Sequence, residues 1–179
     1  MKSAGANGLD LLTRRIEIIL TSSRDASART RSFLNELEII IPNSLKINRG
    51  RRSLDEVFSL AYRLGASSVL LVLTDKGNPS KLELYSISHN IVNLEYKLKI
   101  ESLSLISDVK LKKAPRLPCI DKFECTELTG FLSSLNLLRF SKCRSFMDLL
   151  KQGSSCEIIF KDLKGEKLNP KMRLSICST

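Results

Sequence analysis

A basic loop, a capped helix and an apolar strand follow one another between residues 44 and 74, and this unit limits the folds open to the chain. Ser53 and Glu56 have the spacing of a capping box, in which each side chain accepts the other residue's backbone N–H. Apolar residues then recur at helical spacing as far as Gly65, a residue suited to the left-handed conformation that ends helices. The run 69–73 has no polar member, which is typical of a strand covered on both faces.

The segments before this unit predict a further strand and helix. Residues 15–22 are rich in β-branched and apolar side chains, which favours a strand. A helix should follow, with Ser23 or Asp25 as its N-cap, and Pro42 marks its end. The predicted buried face of this helix consists of Ala26, Thr30, Phe33, Leu34 and Leu37.

The segments after the unit predict antiparallel strands. A turn at residues 75–79 precedes a strand over 81–88. Apolar and charged residues then alternate over 94–101, which predicts a half-exposed strand, and strand character continues through Val109 and Leu111. The basic connector around Pro115 and Pro118 marks a boundary between two halves.

The second half repeats the first in outline. One helix is striped by leucines and Phe131 over 128–138, and a second helix is predicted from a Ser145 cap to Gly153. Strands follow at 156–160 and 172–176. Because this order of features matches the unit at 44–87, we expect an internal duplication. The predicted organisation is a flexible N-terminus (1–13), an N-terminal half (14–112) and a C-terminal half (113–179).

Composition indicates a polyanionic partner. The formal net charge is +10 and the isoelectric point is about 9.6, which favours nucleic acid over a membrane. No stretch approaches the roughly 18 apolar residues that a membrane span needs. The first ten residues lack the apolar core of a secretory signal. We therefore expect a cytoplasmic, soluble protein with no membrane partner.

The five cysteines all lie in the second half and form no C-x-x-C pair, so no metal site is predicted. Small buried hydrophobes are the favoured interpretation, and disulfides are the alternative if the source is a hyperthermophile.

Motifs for catalysis are lacking. His89 is the one histidine, no G-x-S-x-G elbow is present, and neither phosphate-binding glycine motif occurs. Asp25 and Asp75 are the carboxylates that neighbouring strand ends can bring together, as a divalent-metal nuclease would need. The sequence predicts no enzyme, no cofactor and no small-molecule substrate.

The basic residues of the first half predict an RNA-binding face, although a merely solvated surface explains the composition equally well. Lysine and arginine contacts to phosphate give salt-dependent affinity, and arginine stacks on unpaired bases. Tyr62 and Arg63 lie off the apolar stripe of their helix and are candidates for a surface contact. No RRM or KH signature is present.

The ordered features of residues 15–90 resemble the Brix domain family of ribosome-assembly factors. The resemblance is carried by the segments 20–24, 42–43 and 48–50, the sigma-factor-like stretch 52–73, and the turn and strand over 76–87. The chain has Ser88-His89-Asn90 where eukaryotic members often have a Phe-Gly-Pro-Thr-like segment, which fits a small archaeal form.

This resemblance implies an α/β (α+β) fold with mixed sheets and packed helices. Its two similar halves would each resemble the anticodon-binding domain of class II aminoacyl-tRNA synthetases. It also implies a non-catalytic factor that binds pre-rRNA during ribosomal subunit assembly, with other assembly proteins as further partners. The predicted RNA contacts are Ser22, Ser23, Arg24, Arg29, Arg31, Lys46, Asn48, Arg49, Arg51 and Arg52.

Two other functions remain open from the sequence. One is a protein–protein scaffold within a pre-ribosomal particle, whose positive charge meets acidic partners. The other is an RNA-cleaving enzyme that uses Asp25 and Asp75 with a divalent metal.

Overall fold

One mixed β-sheet carries helices on both faces in the computed structural model of the chain, which describes residues 15–89, 91–109 and 114–177. The strands of these residues, in chain order, are β1 (Ile18–Ser22), β2 (Ser44–Lys46), β3 (Ser68–Asp75), β4 (Asn78–Ser88), β5 (Ile91–Ser104), β6 (Pro118–Phe123), β7 (Ser145–Gln152), β8 (Ser155–Lys161) and β9 (Lys167–Ile176). The helices are α1 (Ala28–Ile40), α2 (Leu54–Arg63) and α3 (Thr129–Ser134), with 3₁₀ turns at Ile106–Asp108 and Thr126–Leu128. The strand order across the sheet is β2-β1-β3-β4-β5-β9-β8-β7-β6.

The first three strands are parallel and are joined by helices on opposite faces. β1 pairs with β2 on one side and with β3 on the other. The chain passes from β1 to β2 through α1, and from β2 back across to β3 through α2. Because these crossovers run in opposite directions, right-handed connections place their helices on opposite faces of the sheet.

Two apolar cores confirm this placement. α1 and α3 pack on one face, where their side chains join inward residues of most strands of the sheet. α2 packs on the other face, where Val57, Phe58 and Ala61 meet Ile19 and Val69. β3 is therefore buried on both sides, as its uninterrupted apolar run predicts.

Both ends of α2 form as predicted. The Ser53 hydroxyl accepts the Glu56 N–H at 3.1 Å, and the Glu56 carboxylate accepts the Ser53 N–H at 2.6 Å. The hydrogen bond from the Ser53 N–H lowers the pKa of Glu56, and the Ser53 hydroxyl has a smaller effect in the same direction. At the other end Gly65 has a φ of +78°, and the N–H of Ala66 returns to the Ala61 carbonyl at 3.0 Å. This hydrogen bond and the left-handed conformation of Gly65 are typical of a Schellman motif.

The predicted start of α1 was wrong. The N-cap is Ser27, whose hydroxyl accepts the Thr30 N–H at 3.1 Å, rather than Ser23 or Asp25. Ala26 therefore precedes the helix instead of lying on its buried face. Ser23 is already engaged, because its hydroxyl accepts the Thr74 N–H from β3 at 3.2 Å.

The predicted helix after Ser145 is also wrong, because residues 145–152 form the strand β7. Its side chains alternate, with Met147 and Leu149 in the larger core and Asp148 on the other face. β7 lies between β6 and β8 with one face on the larger core, so most of residues 145–150 are buried and the apolar run resembles that of a buried helix. The strand character predicted for residue 109 is interrupted by the 3₁₀ turn, and Leu111 lies outside the described residues.

The two halves are similar in topology, as predicted, but they form one continuous sheet rather than separate sheets. β6, β7, β8 and β9 repeat the pairing of β1, β3, β4 and β5, and the halves meet at the antiparallel β5–β9 pair. The repeated order of sequence features aligns β3 with β8, whereas the topology matches β3 to β7. The sequence repeat is thus displaced by one strand from the structural repeat. The predicted boundary at 112/113 and the segment 1–13 lie outside the described residues, so that domain division stays a prediction.

Two disulfides replace the small buried thiols that the sequence favours. Cys119 pairs with Cys143 across a Cα–Cα distance of 5.4 Å, and Cys125 pairs with Cys156 across 5.8 Å. The second bond connects the 3₁₀ turn before α3 to the start of β8. Cys177 remains free. The second half, which has fewer helical residues, is therefore cross-linked covalently.

We expect each disulfide to contribute about 3 kcal/mol to the free energy of unfolding, because each closes a loop of moderate length in the unfolded chain. Cys119→Ser with Cys143→Ser should lower the unfolding temperature markedly, whereas Cys177→Ser should leave it unchanged. Thermal denaturation measures the effect. Mass spectrometry after alkylation without reductant should find one reactive thiol in the denatured wild type, and five would contradict the pairing.

Candidate nucleic-acid interface

An open cleft lies where β1 and β2 end, between the loops that follow these strands. Its volume is about 300 Å³. The lining residues come from residues 22–31 and 48–50, and they are Ser22, Ser23, Arg24, Ala26, Arg31, Asn48, Arg49 and Gly50. At this point of the sheet the connections that follow β1 and β2 leave toward opposite faces. In open α/β sheets, ligands bind outside the carboxyl ends of strands at such a point.

The first wall of the cleft is the loop between β1 and α1. The Ser23 N–H donates to the Val72 carbonyl at 3.0 Å, so the loop begins fastened to β3. Arg31 folds back over the loop and donates from its guanidinium to the Ala26 carbonyl at 3.0 Å. Arg24 is exposed. These contacts place two guanidinium groups on this wall while the loop backbone stays fixed.

The second wall is the basic loop, residues 47–52, and its own arginines hold it in shape. Arg49 donates from Nε to the Arg52 carbonyl at 3.1 Å, and Arg52 donates to the Asn48 carbonyl at 3.2 Å. Gly50 has a φ of +56°, which allows the chain to reverse between them. The loop is anchored to β1, because the Ile47 N–H donates to the Leu20 carbonyl at 2.8 Å.

Six of the ten predicted RNA contacts are brought together in this cleft, namely Ser22, Ser23, Arg24, Arg31, Asn48 and Arg49. Both serines have limited freedom, because Ser22 is buried and Ser23 bonds to β3 through hydroxyl and backbone. Ala26 and Gly50 also line the cleft but were not predicted as contacts, since small residues near a cleft leave no periodic pattern.

The other four predicted contacts lie elsewhere. Arg51 and Arg52 are exposed on the outer side of the basic loop. Lys46 lies on the α1 side of the sheet edge, where its ammonium donates to Asn35 and its backbone N–H donates to Glu38 at 2.7 Å. Arg29 points away from the cleft altogether.

Arg29 connects α1 to the 3₁₀ turn after β5. Its guanidinium donates to both carboxylate oxygens of Asp108, at 2.6 and 2.8 Å, and to the Leu103 carbonyl at 3.1 Å. The Arg29 hydrogen bonds lower the pKa of Asp108, and the Leu105 N–H acts in the same direction. Glu36 holds the same turn by accepting the Ile106 N–H at 2.9 Å, and burial raises the pKa of that carboxyl.

Charge pairing distinguishes the cleft from the rest of the sheet. On the sheet face away from α1 and α3, lysines and Arg173 pair with carboxylates: Lys97 with Glu83 at 3.3 Å, Lys161 with Asp148 at 2.9 Å, and Lys171 and Arg173 with Glu157 at 3.1 and 3.4 Å. Among the residues that the structure describes, Arg24, Arg31 and Arg49 form no salt bridge. Their positive charge is thus available to an anionic ligand.

Asp25 and Asp75, the carboxylates considered for metal-dependent cleavage, belong to no group of three metal-ligating side chains over residues 15–89, 91–109 and 114–177. Both residues are exposed. In the same part of the chain, no helix is long and apolar enough to cross a membrane.

The fold and cleft define a mixed-sheet α/β protein with a cationic crevice at its sheet edge, and known proteins share this fold. The structure aligns with a crystal structure of a probable ribosomal biogenesis protein from Aeropyrum pernix K1, with a TM-score of 0.73 and 19% identity over 92% of this chain and 98% of that one. It also aligns with Mil, an archaeal Imp4-like protein, with a TM-score of 0.69 and 19% identity over 90% and 100% of the two chains.

Sequence relatives establish the family. A probable Brix domain-containing ribosomal biogenesis protein of Sulfurisphaera tokodaii is 36% identical over 134 residues, which are 74% of this chain and 75% of that protein. One of Saccharolobus solfataricus is 37% identical over 152 residues, or 82% and 88% of the two chains. No protein-family model matches the sequence. The chain belongs to the Brix domain-containing ribosomal biogenesis proteins, as the resemblance indicated.

Arg29 and Arg31 offer a matched test of which arginines belong to the cleft. Arg29→Ala should lower the free energy of unfolding by about 1 kcal/mol at neutral pH, because it removes a two-pronged and partly exposed salt bridge. It should leave RNA affinity within twofold. Arg31→Ala should instead weaken RNA binding and leave the free energy of unfolding nearly unchanged. Chemical denaturation and RNA titration of both variants measure the contrast, and equal behaviour of the two variants would contradict it.

The contribution of Arg29 should also depend on pH. Because the folded-state pKa of Asp108 is depressed, this stabilisation is present above the unfolded pKa near 3.8 and is lost as the pH falls through the lower folded pKa. The stability difference between the wild type and Arg29→Ala should therefore shrink as the pH falls below about 4. Denaturation curves across this range measure it, and a constant difference would contradict the assignment.

Proposed function

We propose that this protein is a non-catalytic, RNA-binding factor of ribosome biogenesis that holds precursor rRNA at the arginine cleft. The observation that carries the proposal is the group of three unpaired arginines at the carboxyl ends of β1 and β2. Guanidinium groups donate to phosphate in a fixed planar geometry, and a cleft between two anchored loops orients them before the ligand arrives. The relatives are named as ribosomal biogenesis proteins, which supports precursor rRNA as the proposed ligand.

Precursor rRNA suits this cleft better than a small anion does. The opening is broad, and further exposed cations, Arg51 and Arg52, flank it on the basic loop. A phosphate backbone is a repeating ligand that can contact the cleft and its flank together. The net charge of +10 also attracts a long polyanion and speeds its association.

A role without catalysis accords with the chemistry of the cleft. Phosphodiester cleavage requires a nucleophile activated by a base or by metal ions. The cleft lining consists of arginine, serine, asparagine and small residues, which bind and orient phosphate. Other assembly proteins remain expected partners, and the cytoplasm remains the expected compartment.

The test is binding of the purified protein to fragments of its own precursor rRNA over a salt series, with tRNA as competitor. We expect one fragment to bind tightly and to survive competition. Binding that tRNA abolishes for every fragment would overturn the proposal and would favour a protein–protein scaffold within the particle.

Removal of two cleft charges should weaken binding and reduce its salt dependence. Arg24→Gln with Arg49→Gln should decrease the slope of log affinity against log salt by roughly 1.4, because each phosphate contact to a single strand contributes about 0.7. Lys164→Gln with Lys167→Gln removes the same charge from the β8–β9 turn and the first residue of β9, and should leave the slope nearly unchanged. Equal slopes for the two double variants would show that the cleft binds no phosphate.

A further inference from the structure

A second depression lies between α2 and the β4–β5 hairpin. This groove has a volume of about 450 Å³, within the range of sites that hold ring-shaped ligands. Its lining includes Phe58 and Tyr62 from α2, Ile87 from β4 and Val92 from β5. Tyr62 is 50% exposed although its neighbours are largely apolar. A half-exposed aromatic ring over an apolar floor is a surface for stacking.

The floor of the groove is fixed by packing in the smaller core. The rings of Phe58 and Tyr85 lie 5.0 Å apart between centroids, and the Tyr85 hydroxyl donates to Glu83 at 2.7 Å. Burial, followed by this hydrogen bond, raises the pKa of Tyr85. The floor is thus already formed before a ligand binds.

Arginines connect the groove to the cleft. Arg63 lines the groove and also a neighbouring depression that includes Arg52 of the basic loop. Arg49, on the cleft side of that loop, acts electrostatically on Tyr85. Arg52 and Arg63 form no salt bridge with other described residues. Arg52 and Arg63 therefore lie along one depression that leads from the basic loop to the rim of the groove, with Asp55 and Glu56 of α2 also in its lining.

The combination of aromatic floor and cationic rim fits an unpaired nucleotide. Its base has a π-face that stacks on Tyr62 or under arginine, and its phosphates are complementary to the rim. Asp55 and Ser59 in the lining add acceptors for the N–H groups of a base edge. The Asp55 carboxylate would repel an acidic peptide. A purely apolar peptide would leave the arginines of the rim without partners.

We propose that the groove holds an unpaired RNA base, stacked on Tyr62, from the same strand whose phosphates occupy the arginine cleft. This inference rests on the proposed function and adds that the RNA is single-stranded at this point. An A-form duplex keeps its bases stacked inside, so it can supply phosphates to the cleft but no base to the groove.

Tyr62 variants test the stacking directly. Tyr62→Ala should weaken binding of a single-stranded oligoribonucleotide by about 5- to 150-fold, the range for loss of one base–aromatic stack. Tyr62→Phe keeps the ring and should bind within twofold of the wild type. An oligonucleotide with one 2-aminopurine should be quenched on binding by the wild type and Tyr62→Phe, and less by Tyr62→Ala. Because Tyr62 is half exposed, the alanine variant should keep its fold, and its unfolding temperature checks this.

Duplex RNA and the salt slope separate this inference from the function on which it rests. Tyr62→Ala removes no charge, so its salt slope and its affinity for duplex RNA should equal those of the wild type. If Arg24→Gln with Arg49→Gln weakens binding while Tyr62→Ala binds single strands like the wild type, the groove holds no base and the proposed function stands. If neither variant affects binding, both proposals fail. Loss of a protein partner from Tyr62→Ala with unchanged RNA affinity would make the groove a protein-docking site and overturn the inference.

Discussion

The crossing of the chain at β1 is the constraint on which the rest of the structure depends. β1 has β2 on one side and β3 on the other. The connection from β1 to β2 and the connection from β2 to β3 therefore run in opposite directions over the sheet. Right-handed crossovers then require α1 and α2 to lie on opposite faces, and each face acquires its own core. The loops at the ends of β1 and β2 diverge toward these two helices. The cleft between them follows from the topology, and the arginines determine only what it can bind.

The sequence predicted α2 and β3 well because each has a local cause. The capping box at Ser53, the glycine at 65 and the unbroken apolar run of β3 act within a few residues, so their pattern is visible in the chain. The cleft was predicted in part for a similar reason. One of its two loops follows the predicted strand over 15–22, and the other precedes the predicted helix that begins after Ser53; β2 (Ser44–Lys46), which ends just before this second loop, was not predicted.

The failures arise where tertiary contacts decide. The run after Ser145 has apolar residues at both helical and alternating spacing, and only its place between β6 and β8 selects a strand. Arg29 and Arg31 are two residues apart in an equally basic segment, yet only Arg29 meets Asp108 from a turn 79 residues away. The cysteine pairs are also set by the packing of β6, β7 and β8, which the spacing of cysteines does not reveal.

The distribution of charge pairs bears on how salt experiments with this protein should be interpreted. The salt bridges on the open sheet face join atoms about 3 Å apart, which is well inside the Debye length of roughly 8 Å at physiological ionic strength. Moderate salt should therefore disturb these contacts little. The cleft arginines have no such partner among the described residues, so the proposed contacts to RNA phosphates would compete directly with counterions. A salt slope measured at moderate ionic strength thus reports on the cleft rather than on the stability of the sheet. The paired charges are engaged within the fold, whereas the cleft arginines form no salt bridge with described residues and are available to an anionic ligand.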